Sequence, residues 1–243
     1  MNKKARHAGN LFTIKAGEKL FNKVSLLYIN YPMKLLKFVV ALLLSFSLSH
    51  AFSQYEAIQP QGIYTSDFNI DNRPRLITYY MPLNWGKKDM YPLIVVLHDA
   101  NSSAKNTIKS LGDIIDAKAD SGDCVVLYPD AVAGQWNSKT DTTNAAADSV
   151  NDAGFISIMV DFFIQQYKCD PQRLYVVGMG NGGDMAKQLN CYSPKKYAAV
   201  ARINGSQSGF CPNADTTKIL EVNAPVKEGI KQALDFVAGK EKQ

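Results

Sequence analysis

Histidine is scarce in this chain. Three occur among 243 residues, His7, His50 and His98, and none follows position 98. That alone weighs against a zinc site, which draws on several histidines and cysteines at set spacings. The four cysteines after residue 100, Cys124, Cys169, Cys191 and Cys211, match no common zinc pattern, so no metal and no cofactor is expected. There is no internal repeat and no low-complexity tract. The longest apolar run, Phe38 to Leu48, falls short of the roughly 20 residues that a transmembrane helix requires. No Lys-Ser/Thr pair follows the glycine-rich stretch at 178–183, so a nucleotide phosphate loop is not expected there.

What is present begins with a leader. Met33-Lys34-Leu35-Leu36-Lys37 precedes the apolar run, and Ala51-Phe52-Ser53 follows it. A basic start, an apolar middle and a small-x-small end make a secretory signal peptide, with cleavage expected after Ser53. An uncleaved anchor is the rival reading. Residues 1–32 are basic and aperiodic, and they are read as lying upstream of the true start, Met33. The domain reading is therefore an extension at 1–32, a signal peptide at 33–53 and one folded domain at 54–243.

Charge changes meaning once the leader is set aside. The chain carries 27 basic and 22 acidic residues, but residues 1–53 hold 8 of the former and 1 of the latter. The remainder, 19 against 21, has a net charge of −2. Neither nucleic acid nor an anionic membrane is implied as a partner. Stable membrane insertion is not expected after signal cleavage, and the oligomeric state is left open. An even cysteine count in an exported chain permits disulfides, in any of three pairings.

The mature part alternates apolar strands with helical segments. Gln54 to Pro74 is polar and turn-rich and reads as an edge or loop. Strands are predicted at 76–80, 93–97, 124–128, 174–177 and 198–203, with a further one at 218–222. The runs Leu93-Ile94-Val95-Val96-Leu97 and Val125-Val126-Leu127 are apolar without alternation, the mark of strands covered on both faces. Helices are predicted at 110–118, 152–167, 183–191 and 227–237, with Asp152 as an N-cap and Asp170-Pro171 as a helix stop. Strand–helix alternation means a mostly parallel sheet with helices on both faces.

One stretch carries the most information. Gly178-Met179-Gly180-Asn181-Gly182-Gly183-Asp184-Met185 follows the strand Leu174–Val177 and opens a helix. That is the setting of a G-x-S-x-G nucleophile elbow, with Gly180 in the serine position. Other landmarks fall in order around it. They are Leu97-His98-Asp99, Tyr128-Pro129-Asp130, Trp136-Asn137, Asn151-Asp152-Ala153-Gly154-Phe155, and Cys169-Asp170-Pro171-Gln172-Arg173 leading into the elbow strand. From about Arg75 to Gly205 the chain resembles the secreted esterase family that includes polyhydroxybutyrate depolymerases and feruloyl and acetylxylan esterases.

The resemblance implies an α/β-hydrolase fold, here shortened at the C-terminus. It also implies carboxylic-ester hydrolysis by an elbow serine, a histidine base and an orienting acid. Two backbone N–H groups would hold the oxyanion, one from the residue after the nucleophile and one from the loop after the histidine-bearing strand. Three positions depart from that pattern. Gly180 has no nucleophile. The usual His-Gly of the oxyanion loop is His98-Asp99, which adds bulk and negative charge. No histidine follows the elbow. No catalytic residue is therefore assigned, and His98, Asp99 and Asn181 are read as oxyanion-loop remnants.

Other candidates have plainer readings. His98 is expected to be structural. Asp184 is expected as a solvated carboxylate in a first helical turn. Ser206 and Ser208 are expected to be loop residues, and Gly183 to serve helix–strand packing. Trp136 is the candidate for a ligand cleft, with packing under its loop as the alternative. The functional expectation is an exported α/β-hydrolase-fold protein that has lost catalysis and keeps a cleft for an ester, acyl or glycan ligand. The alternatives are an active esterase with a divergent nucleophile, a truncated copy of one, and a remnant with no selected activity.

Overall fold

The computed structural model describes residues 61–138, 150–206, 214–238 and 240. All belong to the second of two compact units, Ile58–Gln243. The leader reading for 1–53, Ser208 and Cys211 lie outside the described residues.

Seven strands form one sheet: β1 Gly62–Ile70, β2 Arg73–Met81, β3 Tyr91–Leu97, β4 Val125–Pro129, β5 Cys169–Met179, β6 Ala199–Ile203 and β7 Ile219–Val222. Their order is β1-β2-β4-β3-β5-β6-β7. β1 and β2 are antiparallel, and β2 runs antiparallel to β4. The rest of the sheet is parallel. Among the described residues four α-helices flank it: α1 Ala104–Gly122, α2 Asp152–Gln166, α3 Asn181–Tyr192 and α4 Val226–Ala238.

The unalternating apolar runs have the cause the sequence suggested. Leu93, Val95 and Leu97 of β3 meet Phe155, Met159 and Phe163 of α2 and Met185 and Leu189 of α3 in one core cluster. Ile94 and Val96 belong with Leu111 and Ile115 of α1 and Ile230 and Leu234 of α4 in the other. All seven residues of β3 are buried, so each face of the sheet has its own core.

The structure departs from the sequence reading in several places. Of the edge and loop readings of the segment before Pro74, the edge holds, and only the regular nine-residue strand there, β1, with alternate residues half-buried, was not predicted. Its partly buried Tyr64 and Phe68 pack against the α2 side. β5 starts at Cys169, five residues earlier than predicted, because Cys169 pairs with Tyr91 before the register shifts. Asp170-Pro171, read as the helix stop, therefore sits within an irregular strand entry that begins three residues past Gln166, the last residue of α2. α1 also starts early, where the Ser103 side chain accepts from Asn106 N at 3.2 Å. Asp152 is not the cap of α2. Asn151 holds that place, accepting from Gly154 N at 2.8 Å. Asp152 is buried one residue on and serves a different purpose, described below.

Cys191 is disulfide-bonded. Cys124 and Cys169 are free and buried. Among the described residues no helix is long and apolar enough to cross a membrane.

Candidate functional site

β5 ends and α3 begins within one residue. Gly180 bridges them with φ 51° and ψ −118°, a backbone conformation that side-chain-bearing residues rarely adopt. Its N–H donates to Ile203 O at 2.8 Å, and its carbonyl accepts from Asp184 N at 3.1 Å. This is the sharp strand-to-helix turn of a nucleophile elbow. The turn needs close approach as well as strain. A Cβ on Gly182 would run into the Leu97 and His98 carbonyls, so α3 leaves the sheet directly over the end of β3. Gly182 sets this approach more tightly than Gly183, whose added Cβ would meet Arg202 Cγ at 3.0 Å.

Asp99 fills the place the missing side chain would take. A Cβ added at Gly180 would overlap the Asp99 carboxylate and no other group as closely. Asp99 Oδ1 accepts from Ala100 N at 2.6 Å and from Asn181 N at 3.0 Å. These are the N–H groups of the loop after β3 and of the residue after Gly180, the two places from which the resemblance implies oxyanion donors. In an esterase they would hold the developing oxyanion. Here a carboxylate oxygen of the chain itself receives both, at the partly positive N-terminus of α3.

His98 and Asn181 hold this arrangement in place. His98 is 1% exposed. Its Nε2 accepts from Ala131 N at 3.1 Å, which assigns the ring proton to Nδ1, 2.7 Å from Asp99 O. Both ring nitrogens are therefore engaged, and the expected structural role is what the geometry provides. The Asn181 side chain accepts from Trp136 N at 2.7 Å and donates to Trp136 O at 3.1 Å and Ser138 Oγ at 3.0 Å. It pins the loop after β4 to the start of α3.

Trp136 does not line a cleft. It is 2% exposed, its Nε1 donates to His98 O at 3.0 Å, and its ring packs on the His98 ring with centroids 5.1 Å apart. The neighbouring loop residues are polar, but the indole lies beneath them, so packing is its role.

Asp184 is not a solvated carboxylate. Its Oδ1 lies 2.5 Å from Arg202 Nη2, a side chain only 2% exposed, and its Oδ2 accepts from Ser206 Oγ at 2.6 Å. Arg202 also reaches Glu221 at 3.2 Å. β6 places a cation under the first turn of α3, and nothing in the local sequence of α3 signals it. Ser206 is held as a loop residue by this carboxylate.

Sequence reasoning missed two features. The first is Ala100, whose N–H completes the pair around Asp99. A side chain of no chemical interest gives no signal for a backbone donor. The second is the buried pair Arg75–Asp152, 2.6 Å apart with side chains 4% and 0% exposed. Asp152 Oδ2 also accepts from Asn137 N at 2.7 Å. Arg75 donates to Asp130 O at 3.1 Å and lies 3.9 Å over the Phe155 ring. This clamp fixes the loop after β4 from below. A cavity of about 510 Å³ opens beside it, between the start of α2 and the later turns of α3, lined by both apolar and polar residues, Asn137, Val150, Ala153, Ser157, Gln188 and Tyr192 among them.

Among the described residues no group of histidine, cysteine or acidic side chains could hold a metal ion.

With fold and elbow in view, relatives can be compared. Residues 77–220 match the family described as Esterase PHB depolymerase. The chain belongs to this family. The match runs from β2 into β7 and takes in the elbow, the oxyanion loop and the Trp136 loop. The chain is 25% identical over 152 residues to feruloyl esterase B of Thermothelomyces thermophilus, covering 60% of this chain and 51% of that one. It is 29% identical over 143 residues to a poly(3-hydroxybutyrate) depolymerase of Ralstonia pickettii, covering 52% of this chain and 27% of that one. The aligned part is thus about half the length of the first relative and about a quarter of the second. A crystal structure of a thermostable esterase superposes with a TM-score of 0.57 at 15% identity, covering 74% of this chain and 63% of that one. At that identity the likeness is one of fold.

Proposed function

We propose that this protein is an exported, non-hydrolytic member of the esterase family that uses the fold to bind rather than to cleave. The observation that carries the reading is the mutual fit of Gly180 and Asp99. The elbow offers no nucleophile, and the Asp99 carboxylate occupies both the nucleophile's volume and the two oxyanion donors. An ester carbonyl can neither be attacked at position 180 nor have its oxygen stabilised. His98, the one imidazole among the described residues, has both nitrogens committed. The leader at 33–53 supports export, and an N-terminal sequence beginning at Gln54 on the secreted protein is the expected outcome.

The ligand classes that fit are ester, acyl or glycan. We place the ligand in the cavity beside the Arg75–Asp152 clamp, whose lining mixes Val150 and Ala153 with Asn137, Asn151 and Ser157, and whose Tyr192, 61% exposed, gives a sugar an aromatic side chain to pack on. A panel of oligosaccharides and aromatic esters is expected to raise the melting temperature for a glycan member, and Tyr192→Ala is expected to remove that rise. No rise across the panel counts against a binding role.

Hydrolysis tests the central point. The full chain, Gly180→Ser and Asp99→Gly/Gly180→Ser are assayed with short-chain nitrophenyl esters and methyl ferulate. The unmodified chain and the single variant are expected to show no turnover above a heat-denatured control. Turnover by the unmodified chain that disappears in Asp99→Ala would make Asp99 a divergent nucleophile and overturn the reading.

A further inference from the structure

β1 is the outermost strand on its side of the sheet, and among the described residues no strand pairs with its far side. It runs nine residues against β2 in unbroken register. Edge strands are commonly blunted by brevity, proline, lysine or a bulge. β1 has none of these, and Asp67 is its one charge.

The hairpin turn decides which backbone groups are left over. Asp71 and Asn72 have positive φ, 54° and 56°, so Ile70 and Arg73 close a two-residue turn as a hydrogen-bonded pair. Hydrogen bonding alternates along an antiparallel strand. Phe68, Ser66 and Tyr64 therefore turn their N–H and C=O groups toward β2. Ile63, Thr65, Asp67 and Asn69 turn theirs outward.

Those outward residues suit one another. Around a two-fold axis at Ser66, Ile63 meets Asn69 of a second copy and Thr65 meets Asp67, each as a hydrogen-bonded pair, and the symmetry repeats both. Between them Ser66 faces Ser66, and Tyr64 faces Phe68. An axis at Asp67 would oppose two like charges, and one at Thr65 would set Ile63 against Asp67 and shorten the overlap. Phe68 already meets Phe162 of α2 edge-on, with centroids 5.1 Å apart, and Phe162 is left 37% exposed. Tyr64 of the second copy would extend that row with an aromatic pair directly across the ladder, a stabilising arrangement.

We propose that β1 is a self-pairing edge through which two copies of this chain join their sheets, antiparallel and centred on Ser66. The occupant is a second copy because the strand, read in reverse, matches itself along its whole length with no like charges opposed. The interface is isologous, as a two-fold dimer requires. Neither the elbow nor the cavity beside the clamp takes part in it.

The test is light scattering of the purified full chain over about 1 µM to 1 mM, beside Asp67→Pro, together with copper-catalysed oxidation of single cysteine variants. The mass is expected to rise with concentration to twice that of the monomer. Asp67→Pro is expected to stay monomeric, because proline there removes an outward N–H and leaves the ladder to β2 whole. Ser66→Cys is expected to give a disulfide-linked dimer, since residues opposed in a non-hydrogen-bonded pair lie about 4.5 Å apart at Cα. Thr65→Cys, two residues out of register with its own copy, is expected to give none. Should Ser66→Cys not fold, a mixture of Ile63→Cys and Asn69→Cys decides. The mixture should cross-link while neither variant alone does, and no cross-link in the mixture overturns the proposal. A monomer at every concentration overturns it as well, including one whose Thr65 and Asp67 amides exchange slowly because the chain's own residues cover the edge. So does a dimer that survives Asp67→Pro, or one that cross-links through Thr65→Cys and not through Ser66→Cys.

Discussion

At position 180 the backbone and its neighbour both select glycine. The φ of 51° with ψ −118° costs a side-chain-bearing residue on the order of 1–3 kcal/mol. A β-carbon there also overlaps the Asp99 carboxylate. Family enzymes tolerate the first cost in order to hold a nucleophile. Here Asp99 adds the second, so Gly180→Ala is expected to lower unfolding free energy by more than the strain alone. In an Asp99→Gly background the same change should cost less, because only the strain remains. Denaturant unfolding of the four proteins gives the coupling directly. Additivity would mean that Asp99 swings away without cost and does not occupy the elbow as described.

At the scale of elements, the clamp under the β4–α2 loop has the clearest energetic signature. Removing one partner of a buried ion pair leaves an uncompensated charge and costs about 3–5 kcal/mol, whereas replacing both with apolar groups costs far less. Asp152→Ala is therefore expected to destabilise strongly, since it strands Arg75 and also frees Asn137 N. Arg75→Met/Asp152→Leu should recover most of that loss in urea unfolding. If Asp152→Ala proved as mild as a surface change, the pair would not be buried in solution. This pair also marks where the sequence stopped being legible. Strands β3 to β6 were readable because unalternating apolar runs have one physical cause, burial on both faces. The elbow was readable because its glycines answer to strain and close approach that no other residue meets. Asp152 was misread because an acid at a helix start looks like a cap, and its true partner lies 77 residues away on β2. Trp136 was left open between cleft and packing because polar neighbours suggest exposure, while the contact that decides for packing comes from His98 just past β3. Asp99 was read as an obstruction, but its two hydrogen bonds depend on how two distant loops meet.

Across the whole molecule, the two-faced core governs how the chain meets alkaline solution. Cys124, just before β4, and Cys169, at the start of β5, flank the start of β3. Burial pushes the Cys124 thiol up to about 11 from its ordinary 9.0, and burial raises Cys169 further. Both are neutral when folded and ionise on unfolding. Above pH 9 the unfolded state therefore holds fewer protons than the folded one, so stability falls as pH rises. Below pH 9 the slope weakens and is nearly gone about one unit lower, where the unfolded thiols are themselves protonated. Between pH 9 and 10 each should remove about 1 kcal/mol. The buried tyrosines Tyr128 and Tyr197, also raised by burial, add their share only above their ordinary 10.0. Urea midpoints at pH 8, 9 and 10 are thus expected to decline, and Cys124→Ser/Cys169→Ser should flatten the decline in that window. At pH 8 iodoacetamide should label neither thiol until the chain is unfolded. Rapid labelling of folded protein, or an equal decline in the double variant, would mean that the β3 end of the sheet opens readily. The rigid frame that holds Asp99 against the elbow would then lack its base.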